Sequence, residues 1–187
     1  MNEQIRRTLS VLVDNEAGVL SRVARLFSGK GYNIESLAVG TTDDPAVSRI
    51  TIEVVTLEDQ ANLLCNQLRK LVCVHSVKIL VPEHAIRREL VLIKVFCSAA
   101  EKRNEILQIA NIFRASIIDV SKSSITLAVI GDETKTTAIE GLLSEFGILE
   151  LVRTGTVALE RGLYTIDEQT KEKGEFDYGK NVLREGL

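Results

Sequence analysis

Apolar residues along the first eighty positions change period several times. In some segments every second residue is apolar, as at Ile50, Ile52 and Val54, and this alternation predicts a strand with one buried face. In others the apolar residues recur three or four positions apart, as at Val19 and Val23, which predicts an amphipathic helix. The expected strands are residues 8–13, 33–40, 48–56 and 72–81, and the expected helices are residues 19–27 and 58–71.

The resulting order is strand, helix, strand, strand, helix, strand, which is typical of a ferredoxin-like unit. Two helices are expected to cover one face of an antiparallel sheet. The other face carries Arg49, Thr51 and Glu53 on its third segment, and nothing in the first eighty residues is left to cover it. We therefore expect this face to pair or stack with another copy of the chain.

The second half of the chain repeats the same order of strand-like and helix-like segments. The tripeptide Ile5-Arg6-Arg7 before the first strand also recurs as Ile86-Arg87-Arg88, and the two matches together indicate an internal duplication. The turn at 121–124 separates two strands, and Gly147 is expected to end the last helix. The expected strands are residues 90–96, 116–120, 125–130 and 148–159, and the expected helices are residues 101–114 and 133–145.

The pattern thus predicts an α+β protein made of two tandem ferredoxin-like domains. Charged residues without a stable apolar period follow the last expected strand, which is typical of a flexible segment. The expected divisions are a first domain at 5–81, a linker at 82–88, a second domain at 89–160 and a flexible tail at 161–187.

Composition narrows the possible functions. The formal net charge is −3 and aromatic residues make up 4% of the 187 positions, with no Trp, so neither a field that attracts phosphates nor a base-stacking surface is expected. We expect no nucleic acid and no membrane as partners, because no apolar stretch approaches the ~20 residues that span a bilayer. The cysteines are odd in number, and we interpret all three, Cys65, Cys73 and Cys97, as buried thiols. The expected location is the cytoplasm, or the plastid stroma if the gene is organelle-encoded.

Catalytic and metal-binding patterns are not found. The two histidines, His75 and His84, have no nucleophile in a recognisable motif beside them, and no pair of histidines shares a helical face. No glycine-rich phosphate loop or dinucleotide fingerprint follows a strand. We expect no catalytic residues, no metal ligands and no cofactor in this chain.

The segment 14–20, which joins the first strand to the first helix, is the best candidate for a binding site. Asn15 can cap the turn and Gly18 lets the backbone approach a ligand. The free N–H groups at the start of the helix attract a carboxylate, and Val19 and Leu20 supply an apolar wall, which together suit an amino acid. An ordinary capped turn without a ligand explains the same residues.

The segment 31–37, directly after the first helix, is the second candidate. Asn33 stands at the expected start of the second strand with a side chain that both donates and accepts hydrogen bonds. In a dimer this side chain can meet the turn at 14–20 of a neighbouring chain. Alternatively, Asn33 satisfies only its own backbone.

Together these segments resemble the small regulatory subunit family of acetolactate synthase, also called acetohydroxyacid synthase. The specific likeness lies in residues 18–27, 31–37 and 48–52, and it extends to about Arg161. Weaker supporting segments are residues 88–94, 113–120 and 155–159.

The resemblance implies that the first domain is an ACT domain that forms a homodimer edge to edge and binds valine, or another branched-chain amino acid, at the interface. It implies a partner, the catalytic large subunit, which carries thiamine diphosphate, magnesium and FAD and which this chain activates and makes sensitive to valine in branched-chain amino acid biosynthesis. The effector residues implied by the motif are Asn15, Glu16, Ala17, Gly18, Val19 and Leu20 of one chain with Asn33 and Ile34 of its partner.

Two departures from the family pattern are visible. Ala17 replaces a residue that is commonly small and polar, and Gly29-Lys30 stands where a bulkier, more basic pair is common. Neither removes a ligand-type side chain. Two other functions compete with the regulatory subunit: a stand-alone ACT-type sensor of amino acids with a different output, and an enzyme with an unrecognised site.

Overall fold

Two antiparallel sheets, each backed by two helices, follow one another in the computed structural model, which describes residues 4–166. The strands are Ile5–Asp14 (β1), Ser36–Thr41 (β2), Val47–Thr56 (β3), Val74–Leu80 (β4), Ala85–Phe96 (β5), Ser116–Val120 (β6), Ser124–Gly131 (β7), Ile148–Arg153 (β8) and Val157–Glu160 (β9). The helices are Val19–Gly29 (α1), Glu58–Leu68 (α2), Ala100–Ile112 (α3) and Glu133–Ser144 (α4).

The two sheets have the same strand order, β2-β3-β1-β4 in the first and β6-β7-β5-β8 in the second. Each unit therefore repeats one topology, with its first and third strands in the middle of the sheet. The expected α+β class with two tandem ferredoxin-like units is confirmed.

The first core lies between the helices and one face of the first sheet. Ile50, Ile52 and Val54 of β3 are at most 1% exposed, as the alternation predicts. Val23 and Phe27 of α1 pack into the same cluster and are equally buried. Burying each large apolar side chain contributes roughly 1.5–3 kcal/mol, so this face holds the helices against the sheet.

The second core repeats this arrangement. Val91, Ile93 and Val95 of β5 are fully buried, while the residues between them are partly exposed. Ile106 and Ala110 provide the buried stripe of α3. The apolar periodicity of the second half therefore predicts its buried faces correctly.

The outer face of the first sheet differs from expectation. Thr51 and Glu53, expected to be open to a second copy, are each only 3% exposed. A two-stranded ribbon made by the start of β5 and by β9 lies over this face: Lys78 Nζ is 2.6 Å from Glu160 Oε2, and Arg87 Nη1 is 3.9 Å from Glu53 Oε1. The expectation that this face awaits another molecule is wrong where the ribbon covers it.

The ribbon arises because one expected strand is divided in two. Gly155, with φ +79°, interrupts residues 148–159 between β8 and β9. β9 pairs with residues 85–88 at the start of β5, in the segment expected to be a linker. A turn of 3-10 helix, Pro82–His84, precedes that strand. The expected flexible tail begins at 161, and its residues 167–187 lie outside the described residues.

Candidate functional site

Gly18 forms the turn between β1 and α1. Its backbone is left-handed, with φ +85° and ψ −9°, at the N-cap position of α1, a conformation that glycine adopts without steric cost. As glycine it has no side chain to accept from the N–H groups of the first turn, and that turn has no acidic side chain. The positive end of α1 is therefore available to an anion.

Asn15, expected to cap its own turn, instead contacts the turn between β2 and β3. Its backbone N–H donates to the carbonyl of Ala46 at 2.7 Å, and its Nδ2 donates to the carbonyl of Pro45 at 2.9 Å. Ser48 Oγ donates to Asn15 Oδ1 at 3.0 Å. A carboxamide has two N–H donors and two acceptor lone pairs, so one of each remains for a ligand.

The residues around Gly18 form an open surface. Glu16 and Ala17 are exposed, and Leu20 is 42% exposed, while Val19 is buried in the core. Leu20 is therefore the apolar side chain that a ligand at the helix end can contact, and Val19 supports the turn from below.

Asn33 lies in the loop before β2 and not within the strand, which begins at Ser36. It is exposed, and its Nδ2 donates to Glu35 Oε1 at 2.7 Å. Its own Oδ1 thus remains a possible acceptor. Ile34, the other expected residue of this segment, packs partly buried against the first core.

The two candidate segments lie at opposite ends of the first sheet within one chain. Val13, just before the Gly18 turn, pairs with Ser48 of β3, whereas Ser36, just after Asn33, pairs with Glu53. Five residues of strand separate these levels, about 17 Å. One chain therefore does not bring Asn15 and Asn33 together.

β2 is an edge strand of the first sheet. If a second β2 ran antiparallel beside it, the start of one strand would lie next to the end of the other. The Asn33 loop of each chain would then approach the Gly18 turn of its neighbour.

Two clefts on the single chain lie elsewhere. One, of about 360 Å³, lies between β2 and the ribbon and contains Arg49 and Arg88; burial lowers the pKa of Arg49, and Asp43 partly opposes this effect. The other, of about 500 Å³, lies at the junction of the two units and contains Lys78. Neither cleft contains an expected effector residue.

Sequence reasoning missed the residues that hold the site in shape. Ser48 and the Pro45-Ala46 turn position Asn15 from thirty or more positions away, and Glu35 positions Asn33. The Asp-Asp-Pro turn at 43–45 was recognisable as a turn, but its contact with Asn15 had no local signal.

Catalytic chemistry is not apparent in residues 4–166. No group of three or more His, Cys, Asp or Glu side chains there lies close enough together to hold a metal ion. His75 Nε2 is 2.7 Å from Asp14 Oδ1, without a nucleophile in that pair. All three cysteines are free and buried.

The Cys65 thiol provides a test of this inert interior. Burial raises its pKa from 9.0 to about 12, with Arg69 opposing the effect. Because the thiol pKa is higher in the folded protein, protonated Cys65 contributes to the free energy of unfolding. This contribution is complete below about pH 9 and is lost as the pH rises toward about 12. We expect native Cys65 to resist an alkylating reagent at about pH 8, with urea-unfolded protein as the positive control. Equal labelling of both forms, measured by mass spectrometry, would contradict this burial.

Comparisons with known proteins agree with the two-unit organisation. A family model described as the small subunit of acetolactate synthase matches residues 88–162, and one described as an AHAS small subunit-like ACT domain matches residues 9–76. The acetolactate synthase small subunit of Aquifex aeolicus is 43% identical, covering 90% of this chain and 88% of the relative. A probable acetolactate synthase small subunit of Archaeoglobus fulgidus is 46% identical, covering 84% and 98%.

A solved structure shows the same fold. The crystal structure of the acetolactate synthase small subunit from Thermotoga maritima superposes with a TM-score of 0.79 at 37% identity, covering 84% of this chain and 98% of that one. The organisms named here are bacterial and archaeal, so they do not support the plastid alternative. Within the described part of the chain, no helix has the length and apolar character needed to cross a membrane.

Proposed function

This chain belongs to the family of acetolactate synthase small subunits, and from that membership we propose that it activates the catalytic large subunit and makes it sensitive to valine. In this proposal residues 5–81 are the effector domain and residues 89–160 the second domain. The reaction, with thiamine diphosphate, magnesium and FAD, takes place on the catalytic partner in the cytoplasm.

The observation that carries the effector proposal is the exposed start of α1 behind Gly18. The N–H groups of its first turn supply hydrogen bonds and partial positive charge for the carboxylate of a free amino acid. Leu20, 42% exposed, offers apolar contact for a branched side chain. Asn15 beside it has a free donor and a free acceptor position for the same ligand.

The ammonium group of the ligand requires acceptors from a second source. The Asn33 loop offers two acceptors, Asn33 Oδ1 and the carboxylate of Glu35, and Asn33 Nδ2 holds that carboxylate in place by donating to its Oε1 at 2.7 Å. The loop cannot reach the Gly18 turn of its own chain, so we propose that it comes from the other chain of a homodimer. Antiparallel pairing of the exposed β2 edges would produce two equivalent sites, as twofold symmetry requires.

Reconstitution tests this function and separates it from the stand-alone sensor. We expect the purified chain to raise the activity of an acetolactate synthase catalytic subunit from the same organism, and valine to lower the activity of the complex but not of the catalytic subunit alone. The isolated chain should make no acetolactate from pyruvate. Valine binding without any effect on, or co-purification with, the catalytic subunit would favour the stand-alone sensor instead.

A further inference from the structure

The loop between β8 and β9 lies directly against the start of β2. The Thr156 N–H donates to Ser36 Oγ at 2.8 Å, joining residues 120 positions apart. Beside it, a Cβ on Gly155 would come within 2.9 Å of the Leu37 carbonyl oxygen and 3.0 Å of Ser36 Oγ. Gly155 also has φ +79°, so both the space and the backbone conformation at this contact require glycine.

On one side this contact leads to the proposed effector loop. Ser36 is the first residue of β2 and follows Asn33 by three positions, a span of at most about 10 Å. Between them the Glu35 N–H donates to the carbonyl of Glu53 at 2.9 Å. Because only two residues separate Asn33 from Ser36, a shift of Asn33 toward a ligand is passed directly to Ser36.

On the other side the contact leads into the second unit. Thr154, next to Gly155, makes two hydrogen bonds with Leu90 of β5: its N–H donates to the Leu90 carbonyl at 3.1 Å, and its side-chain Oγ1 accepts from the Leu90 N–H at 3.1 Å. β5 is a central strand of the second sheet and carries core residues along its length.

We propose that the Ser36–Gly155–Thr156 contact couples effector binding in the first domain to the second domain, an inference that rests on the proposed effector site. Two other contacts between the units attach elsewhere, Lys78 to Glu160 on β4 and Arg6 to Glu133 on β1. A third, Arg87 to Glu53 at 3.9 Å, reaches β3 opposite Ser36 but is the longest of the three. The Ser36 contact joins the second unit to the strand that follows the effector loop. Ser36, Gly155 and Thr156 are thus positioning residues, which contact no ligand themselves.

Two variants test this coupling in different ways. Ser36→Ala removes the acceptor for the Thr156 N–H, and Gly155→Ala introduces a methyl group against the Leu37 carbonyl. Each is measured as the full-length chain by calorimetric titration with valine, and as the complex with the catalytic subunit for inhibition by saturating valine. We expect both to bind valine like the unchanged chain, while the ratio of rates without and with valine falls about fivefold, the effect of one hydrogen bond.

Matched controls separate coupling from strain and from loss of a hydroxyl. Gly162→Ala imposes the same left-handed strain at φ +71°, but apart from its chain neighbours no atom among residues 4–166 lies within 4 Å of the new methyl group. Ser144→Ala removes a hydroxyl that donates only to Gly141 within its own helix, at 2.6 Å. Both controls should retain full inhibition by valine.

The outcomes distinguish this inference from the proposed function. If Ser36→Ala and Gly155→Ala bind valine and transmit inhibition like the controls, the coupling role is wrong while the effector site stands. If they lose valine binding itself, the contact belongs to the binding site, which also contradicts a coupling role. If the unchanged chain does not bind valine, the proposed effector function fails first, and with it the inference that rests on it.

Discussion

Replacing Gly18 with Asp should abolish valine inhibition of the reconstituted enzyme while leaving its activation in place. The new carboxylate would stand at the N-cap of α1, where the carboxylate of valine is proposed to bind. Two such charges about 4 Å apart repel by about 4 kcal/mol at an effective dielectric constant of about 20, which corresponds to roughly a thousandfold loss of affinity. Calorimetric titration and inhibition assays measure both effects.

The fold should tolerate this change. Apart from its chain neighbours, no atom of the described residues lies within 4 Å of where a Cβ at Gly18 would stand. Asp is also among the residues that adopt left-handed backbone most readily and that cap helices well. Gly18→Asn is the matched control, because it has nearly the same shape and backbone preference without the charge. If Gly18→Asp is inhibited at the same valine concentration as the unchanged chain, the anion site does not lie at this helix end.

Two defective chains should restore a valine site when they are combined in one dimer. Gly18→Asp damages the turn and Asn33→Ala damages the loop, so neither homodimer has an intact site. In a heterodimer the turn of the Asn33→Ala chain meets the loop of the Gly18→Asp chain, which yields one intact site of two. We expect a valine stoichiometry about half that of the unchanged dimer, measured on heterodimers isolated with two affinity tags.

A second pair of variants serves as the control for this experiment. Gly18→Asp and Asn15→Ala both damage the turn, so their heterodimer contains no intact site and should bind no valine. Recovery in this control, or no recovery in the Gly18→Asp and Asn33→Ala heterodimer, would show that the site is not shared between chains in the proposed way. Asn33→Ala should disturb the fold little, because the residue is exposed and its side chain hydrogen-bonds to nearby Glu35.

Much of the fold was predictable because burial leaves a periodic trace in the sequence. Ile50, Ile52 and Val54 are buried as their alternation predicts, and Ile106 and Ala110 as their helical spacing predicts. Such patterns depend only on neighbours along the chain, since a strand repeats every two residues and a helix every 3.6. The repeated element order likewise indicated two similar units, and the resemblance to the small-subunit family is confirmed.

Helix and strand limits were less predictable where local signals compete. Residues 33–35 have strand-like alternation, yet the strand begins only at Ser36. Residues 148–159 are expected to form a single strand, yet Gly155 divides them into β8 and β9. A glycine in such a run is compatible with a bulge, a break or a plain strand, and the contact with Leu37 decides among them.

The candidate site was only partly visible in the sequence. Gly18 at the start of a helix is a local feature, and its left-handed N-cap conformation agrees with the turn that the sequence suggested. The bonds from Asn15 to the Pro45-Ala46 turn join positions thirty or more apart, and the sequence contains no periodic trace of them.

The sequence alone thus determined the two-unit architecture, the core-facing sides of its strands and helices, and the position of the turn between β1 and α1. Only the tertiary structure decided that the ribbon from the second unit covers Glu53, that Asn15 and Asn33 lie at opposite ends of one sheet, and that Gly155 approaches Ser36. The physical reason is that hydrophobic burial is non-directional. Periodicity shows that a face is buried, but only the packed structure shows which distant segment covers it.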